Sequence, residues 1–389
     1  MKIALYGGSF NPPHLGHRAV ALTVMERLRP DRLIVMPDRY PPHKELPEGS
    51  PSAEDRYRMC RLCFDGIPGL EVSDLELRRE SVSYTAETVE RLRVIYPDDE
   101  LILVIGTDML LCFEHWYRFR YLLEQCRLAV VCRESAERET VGQEAARLCT
   151  EYGARVTALP HEPIEISSGE LRELLPRRLG ADDLREEVYA EIIRRRWYGA
   201  QPELAWLREK AYAMLKPKRI AHVAGCESEA VALAMRWGED PELAAEAAIL
   251  HDVTKRLKKD EQLKLCERYG VRPEPSELSS PNVLHAITAA AYAAAEFGVS
   301  EAVRGAIRWH CTGRPDMTLL EKIVWLADFI EPTRDFAGVD EVRELACEDL
   351  DLALCRALEM TLGFLDSKDA KPCEITEQAY QFYKQTDRR

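Results

Sequence analysis

The sequence predicts an α/β domain built on a doubly wound parallel sheet, followed by an all-α helical domain. Three observations carry this expectation. Short apolar runs alternate with helical stretches through the first half. The strand signal then disappears after Gly199-Ala200-Gln201-Pro202, a Gly/Pro cluster of the kind that punctuates a chain. At 389 residues the chain exceeds what one hydrophobic core usually serves, so two domains are expected, over 1–200 and 203–389.

The elements follow in order. Strand-sized apolar runs occur at Ile3–Tyr6, Leu33–Met36, Leu70–Val72, Leu101–Ile105, Leu128–Val131 and Arg155–Leu159. Between them helices are expected over His17–Arg29, Ala53–Phe64, Thr85–Tyr96, the Leu110–Glu124 region and Thr140–Tyr152. Ser167 with Glu170 three residues later is a capping-box pattern, and a further helix runs over Asp182–Trp197. The second half reads as helices only: Leu204–Leu215, Arg219–Trp237, Glu242–Lys255, Lys259–Tyr269, Pro281–Phe297, Glu301–Cys311, Leu319–Ile330, Val339–Met360 and Glu374–Gln385. Ser280-Pro281 has the form of an N-cap followed by a first-turn proline, and Gly298 and Pro332 act as stops.

Composition narrows the function classes. Hydrophobic residues make up 46% and charged residues 31%, the balance of a soluble globular protein. The formal net charge of −14 argues against broad binding to nucleic acid, which requires a basic face, but not against small anionic substrates met by a local patch. No cleavable leader and no run of membrane-spanning length are evident, so a cytoplasmic protein without membrane association is expected. The twelve cysteines are scattered and read as reduced, small apolar residues. Cys60-x-x-Cys63 has redox or zinc spacing but lacks a second pair. Homo-oligomer formation is left open.

The richest stretch is Gly7-Gly8-Ser9-Phe10-Asn11-Pro12-Pro13-His14-Leu15-Gly16-His17. It follows the first strand and enters a helix. Glycines without a Cβ let the backbone approach a ligand, and amides at a helix start favour an anion. His14 and His17, three apart, share one helical face and can reach the same polyphosphate. Strand, glycine turn and paired histidines together point to nucleotide-phosphate chemistry. Such transfer depends mainly on positioning and on neutralising developing charge.

Further motifs narrow this: Met36-Pro37, Pro41-Pro42-His43-Lys44, Ser83-Tyr84-Thr85-Ala86-Glu87-Thr88, Gly106-Thr107-Asp108 followed by Trp116, and Ile166-Ser167-Ser168-Gly169-Glu170-Leu171-Arg172. In this order, over about residues 1–198, they resemble bacterial nicotinate-nucleotide adenylyltransferase. The resemblance implies attack of nicotinate mononucleotide on the α-phosphorus of ATP, with Mg2+ accompanying ATP. It implies ATP contacts from Gly7, Gly8, Ser9, Phe10, His14, His17, Gly106, Asp108, Ile166, Ser167 and Arg172. His17 would stand nearest the transferring phosphate, and Ser167 and Arg172 would cradle the leaving pyrophosphate. Lys44, Thr85 and Trp116 would serve nicotinate mononucleotide, with Lys44 also adding charge to the reaction and Trp116 stacking on the ring. Use of nicotinamide mononucleotide stays open. His115 and His161 match nothing and read as surface or structural residues.

The helical half holds four of the nine histidines, His222, His251, His285 and His310, on separate helices, with Asp252 and Asp328. Imidazole and carboxylate are the ligand types of hydrolytic metal centres, and helical bundles build such centres from inward-facing residues. With their flanking residues these six resemble the HD superfamily of metal-dependent phosphohydrolases, of the type that splits diadenosine tetraphosphate into two ADP. The resemblance implies one metal on His222, His251, Asp252 and Asp328 and a second on His285 and His310, with Asp252 bridging. The metal would be iron, as a di-iron pair, or Mn2+. Lys255, a turn past His251, would meet the phosphates, and Thr312, Gly313 and Arg314 would hold phosphate or adenine. Cys311 stands where a second threonine is more typical. The alternative is a nucleotide-sensing module, or an enzyme for another nucleotide phosphate. The substrates expected are thus ATP, nicotinate mononucleotide and diadenosine tetraphosphate.

Overall fold

The computed structural model describes residues 1–41, 45–79, 83–132, 137–161, 164–280 and 282–386. The chain divides into two compact units, Met1–Gln201 and Pro202–Arg389.

Six strands build the first unit: β1 (Lys2–Gly8), β2 (Arg32–Pro37), β3 (Leu70–Val72), β4 (Glu100–Gly106), β5 (Cys126–Cys132) and β6 (Val156–Pro160). All pairings are parallel, in the order β3-β2-β1-β4-β5-β6. Parallel strands need crossovers, supplied by α1 (Leu15–Leu28), α2 (Ala53–Phe64), α3 (Thr85–Ile95), α4 (Thr107–Leu111), α5 (Phe119–Gln125) and α6 (Glu137–Tyr152). Two further helices, α7 (Ser168–Leu174) and α8 (Glu186–Arg195), close the unit. Strands covered on both faces must be apolar throughout, which is why Ile102 to Ile105 and Leu128 to Val131 are all buried. The order reverses between β1 and β4. There the loops after the two strands diverge and open a crevice at their carboxyl ends. Gly7-Gly8 and Gly106 lie at those ends, as the sequence predicts.

The first half departs from expectation at Leu110–Glu124. It breaks into α4, a single 3-10 turn at Phe113–His115 and α5, with Arg118 in the left-handed region (φ 56°) between the last two.

The second unit is helical: α9 (Leu204–Ala213), α10 (Pro217–Trp237), α11 (Pro241–Leu250), α12 (Lys259–Arg268), α13 (Pro275–Ser279), α14 (Leu284–Phe297), α15 (Glu301–Trp309), α16 (Leu319–Ile330), α17 (Val339–Glu348), α18 (Leu350–Ser367) and α19 (Glu374–Thr386). Its core packs α10, α11 and α16 closely through small residues, among them Ala230, Ala234, Ala244, Ala247 and Ala248. Among the described residues no helix is long and apolar enough to cross a membrane.

Three helix expectations are corrected. The helix expected over Glu242–Lys255 stops at Leu250, and His251 to Arg256 form a turn, so Lys255 does not continue a helical face from His251. The span expected as one helix over Val339–Met360 breaks at Asp349. Its carboxylate accepts the amides of Asp351 (2.9 Å) and Leu352 (3.1 Å), so a helix start outcompetes continuation there. The helix expected from Pro281 begins instead at Leu284, after Val283 as cap; Pro281 lies outside the described residues.

Candidate active sites

In the first unit a cleft of about 1070 Å³ opens over the carboxyl ends of β1 and β4. His14 is the N-cap of α1. Its Nδ1 accepts the Gly16 amide at 3.2 Å, while His17 Nδ1 accepts the His14 amide at 3.2 Å, a reciprocal capping box made by two imidazoles. A ring nitrogen that accepts carries no proton, so each neutral ring holds its proton on Nε2 and is a donor there. The ring centroids lie 3.8 Å apart. Gly16 makes this geometry available: a Cβ at that position would stand 2.9 Å from His14 Cε1 and Nδ1.

Of the residues assigned to this site from sequence, Gly7, Gly8, Ser9, Phe10, His14, His17, Thr85, Gly106, Trp116, Ile166, Ser167 and Arg172 line the cleft. Asp108 does not; it is exposed in the first turn of α4. Lys44 lies outside the described residues. His161, read as a surface or structural residue from sequence, lines the cleft with its Nδ1 2.9 Å from Thr23 Oγ1.

The Ser167–Glu170 capping box forms as the sequence predicts, with Glu170 N donating to Ser167 Oγ at 3.1 Å and Ser167 N to Glu170 Oε2 at 2.8 Å. Arg172 donates to the carbonyls of Asn11 (2.6 Å) and Ser168 (3.0 Å), tying this segment to the histidine loop.

The sequence did not reveal the support behind the cleft. Arg56, 1% exposed, donates to Ser9 O at 2.5 Å and Asp38 O at 2.7 Å, and pairs with the Asp38 carboxylate at 3.2 Å. Glu76 lines the cleft and accepts from the Thr88 hydroxyl at 2.5 Å. Burial raises its carboxyl to about 7, with the hydrogen bond from Thr88 and the charge of Arg79 pulling the other way.

In the second unit the six residues singled out from sequence converge. His222 sits on α10, His251 and Asp252 at the end of α11, His285 on α14, His310 at the end of α15 and Asp328 on α16. Asp252 is fully buried between imidazoles. Its Oδ2 lies 3.4 Å from His251 Nε2 and 3.9 Å from His222 Nε2, and its Oδ1 lies 2.9 Å from His285 Nε2 and 3.8 Å from His310 Nε2. Asp328 Oδ1 stands 3.0 Å from His222 Nε2.

Three of the rings are anchored through Nδ1: His251 on Ala248 O (2.6 Å), His310 on Ile307 O (2.7 Å) and His222 on Glu331 Oε1 (3.0 Å). A carbonyl only accepts, so Nδ1 of His251 and His310 carries the proton and Nε2 holds the lone pair a metal takes. Both residues of the His251-Asp252 pair are fully buried, with Asp252 Oδ2 3.4 Å from His251 Nε2 and Oδ1 2.9 Å from His285 Nε2. Buried imidazole, carboxylate and thiol groups converging in this way fit divalent-cation ligation.

The local electrostatics are those of a preformed cation site. Burial opposes charge on Asp252, but His251, His285 and Lys255 outweigh it and hold the carboxyl well below its usual range. Burial pushes His285 down and His310 well down, whereas His251 is raised, its burial outweighed by the charges of Asp252 and Asp328.

Glu331, fully buried, also accepts from Thr333 N at 2.7 Å and Thr333 Oγ1 at 2.5 Å. A Cβ on Gly225 of α10 would lie 2.6 Å from its Oε2, so glycine lets that carboxylate reach His222. Arg219 pairs with Asp252, and Arg334 with Asp328 at 2.8 Å, both partly exposed. Lys255 Nζ lies 2.9 Å from His285 Nε2. Thr312 and Arg314 are engaged elsewhere: the Thr312 hydroxyl donates to Gly313 O (2.9 Å), and Arg314 pairs with Glu321 (2.8 Å). Gly313, at φ +63°, serves the turn between them. Arg219, Arg334, Glu331 and Cys226 escaped the sequence reading as site partners, because only packing brings them to the histidines.

Fold and site thus define an α/β nucleotidyltransferase-type unit joined to an HD-type helical unit. Residues 5–174 match the Cytidylyltransferase-like family and residues 219–333 the HD domain family. Over 198 residues the chain is 35% identical to a protein of Carboxydothermus hydrogenoformans described as "Probable nicotinate-nucleotide adenylyltransferase", spanning 51% of this chain and 98% of the relative. Over 169 residues it is 41% identical to the symmetrical bis(5'-nucleosyl)-tetraphosphatase of Bacillus subtilis, spanning 42% of this chain and 89% of the relative. A crystal structure of an HD superfamily hydrolase from Clostridium acetobutylicum is 34% identical and covers 47% of this chain and 97% of its own, with a TM-score of 0.46. The chain belongs to the nicotinate-nucleotide adenylyltransferase family through its first unit and to the HD family of symmetrical bis(5'-nucleosyl)-tetraphosphatases through its second.

Proposed function

We propose that the first unit joins nicotinate mononucleotide to the adenylyl group of ATP, giving nicotinate adenine dinucleotide and pyrophosphate. The observation that carries this is the reciprocal His14–His17 cap inside the cleft, which holds two Nε2–H donors side by side. In this reading the mononucleotide phosphate attacks the α-phosphorus of ATP, and the bond to the β-phosphate oxygen breaks. His14 and His17 donate to the phosphate oxygens as charge builds, and the Gly7-Gly8 backbone lies close to the chain of phosphates. Ser167 and Arg172 hold the departing pyrophosphate, and Trp116 and Thr85 contact the pyridine nucleotide. Mg2+ accompanying ATP supplies charge neutralisation. The relatives named for this activity support the assignment. The test is pyrophosphate release by the purified chain with ATP and either nicotinate or nicotinamide mononucleotide. Turnover with neither would refute the reading, and equal turnover would remove the nicotinate preference.

For the second unit we propose symmetrical hydrolysis of diadenosine tetraphosphate to two ADP. The carrying observation is Asp252 facing His222 and His251 with one oxygen and His285 and His310 with the other. Divalent cations held by these residues and Asp328 supply Lewis acidity toward a phosphoryl group and its attacking water. Arg219 and Arg334, at the partly exposed edge of the cluster, would meet the phosphate chain, as would Lys255. Purified protein loaded with iron or manganese is expected to form ADP from diadenosine tetraphosphate, and His251→Ala or Asp252→Ala to abolish it. Nucleotide binding without turnover by the metal-loaded protein would favour a sensing module instead.

A further inference from the structure

Cys311 follows His310 in the turn after α15. Its Sγ lies 3.2 Å from His310 Nε2 and 3.4 Å from His285 Nε2, and those two nitrogens are 3.2 Å apart. Asp252 Oδ1, fully buried, lies beside them, 2.9 Å from His285 Nε2 and 3.8 Å from His310 Nε2. Metal–nitrogen bonds of about 2.0–2.1 Å and metal–sulfur bonds of about 2.3 Å in a tetrahedron put N···N edges at roughly 3.3 Å and N···S edges at roughly 3.5 Å. The observed triangle has that size.

His310 spends its Nδ1 proton on Ile307 O, so its Nε2 is a lone pair, and the single thiol proton serves only one of two nitrogens. Lone pairs on nitrogen, sulfur and carboxylate oxygen are gathered around one point. The Lys255 ammonium lies beside them, 2.9 Å from His285 Nε2 and 3.8 Å from Asp252 Oδ1, on a side chain exposed enough to withdraw, and Arg219 pairs with the other Asp252 oxygen.

We infer that Cys311 is a metal ligand in this chain, completing a His285–His310–Cys311 site for a borderline-soft divalent cation such as Zn2+, Co2+ or Fe2+. This rests on the reading of the second unit as a cation-binding hydrolase. On binding, the S–H bond breaks, its electron pair forms the sulfur–metal bond and the proton passes to solvent. No oxidant or reductant takes part. A thiolate shifts selectivity away from Mn2+ and Mg2+, which favour oxygen donors. The other thiol near the cluster, Cys226, sits 3.4 Å from His222 Nε2 as its i+4 neighbour on α10 and 3.9 Å from Asp328 Oδ1. Its contact with His222 follows from i, i+4 helix spacing, whereas Cys311 meets His285 from the end of a neighbouring helix.

The test is a Co2+ titration of the metal-free, full-length chain followed by absorption. Visible ligand-field bands report cobalt in the His/Asp cluster, and a near-ultraviolet sulfur-to-cobalt charge-transfer band reports thiolate ligation. The charge-transfer band is expected in the native chain and in Cys226→Ala, and is expected to be lost in Cys311→Thr, whose ligand-field bands remain. Cys311→Thr is further expected to weaken Zn2+ binding about tenfold or more while changing Mn2+ binding less than about threefold. Ligand-field bands without charge transfer in the native chain, or a charge-transfer band surviving in Cys311→Thr, would overturn the inference alone. Absence of any cobalt binding would overturn it together with the hydrolase reading.

Discussion

Replacing Gly16 by alanine separates catalytic positioning from stability. The new Cβ would stand 2.9 Å from His14 Cε1 and Nδ1, against an optimal contact of about 3.5–4.0 Å. The ring must therefore move by roughly half to one ångström. Its Nδ1 then leaves the Gly16 amide that it accepts at 3.2 Å, and the adjacent His17 ring, with its centroid 3.8 Å away, is disturbed with it. A misplacement of about 1 Å at a reacting phosphate costs on the order of 10²-fold in rate, or about 2.7 kcal/mol of barrier. Stability has opposing terms: alanine gains up to about 1 kcal/mol over glycine within a helix, and a lost cap bond costs about 1 kcal/mol. The expected result is a kcat for pyrophosphate release down about a hundredfold, with the melting temperature within about 4 °C of the native chain. A kcat within about threefold of native would refute the link between this capping box and catalysis, since the clash would then have been absorbed without moving the rings.

Other outcomes follow from buried groups. Arg56→Met removes the buried ion pair to the Asp38 carboxylate and the guanidinium bonds to Ser9 O and Asp38 O, and is expected to cost about 3–5 kcal/mol in denaturant unfolding of the first unit; a loss below about 1 kcal/mol would show the pair to be dispensable. Glu331→Gln sets an amide donor against the Thr333 N–H, which now donates to Oε2 at 2.7 Å, and should loosen His222; cation affinity of the second unit is expected to fall about 10–100-fold by competition titration, and an unchanged affinity contradicts the positioning role. Glu76 gives a pH dependence: with its folded value raised by burial from 4.5 to about 7, the folded state keeps a proton that the unfolded chain has released. Stability therefore falls as pH rises between those two values and is flat above, by up to about 3 kcal/mol. The melting temperature of Glu76→Gln relative to native should accordingly increase from pH 5 to pH 8, and a constant difference would place the carboxyl at an ordinary value.

Much of the fold was legible because hydrophobic period is local. Each of the six strands lies within two residues of its apolar run, and the central strands, buried on both faces, have the least freedom in composition. The breaks at Asp349 and Arg118 were not legible. An Asp inside a helical pattern caps or continues a helix according to what packs around it, and the left-handed turn at Arg118 has no Gly to announce it. The metal-type residues were legible by chemistry, because four histidines and two aspartates spread over helices have few other uses.

The sequence by itself determined which chemical groups are present and their local frames: a glycine turn after a strand, histidines at helix spacing, and a Ser–Glu cap before Arg172. Tertiary structure alone decided which partners those groups meet. Arg56 reaches Ser9 from 47 residues away and Glu331 reaches His222 from 109, and Cys311 lies beside His285 because two helices cross there. Such contacts depend on distances in space. Sequence spacing fixes those only within a turn or a strand, so the donor set of each site was readable while the atoms that orient and charge it were not.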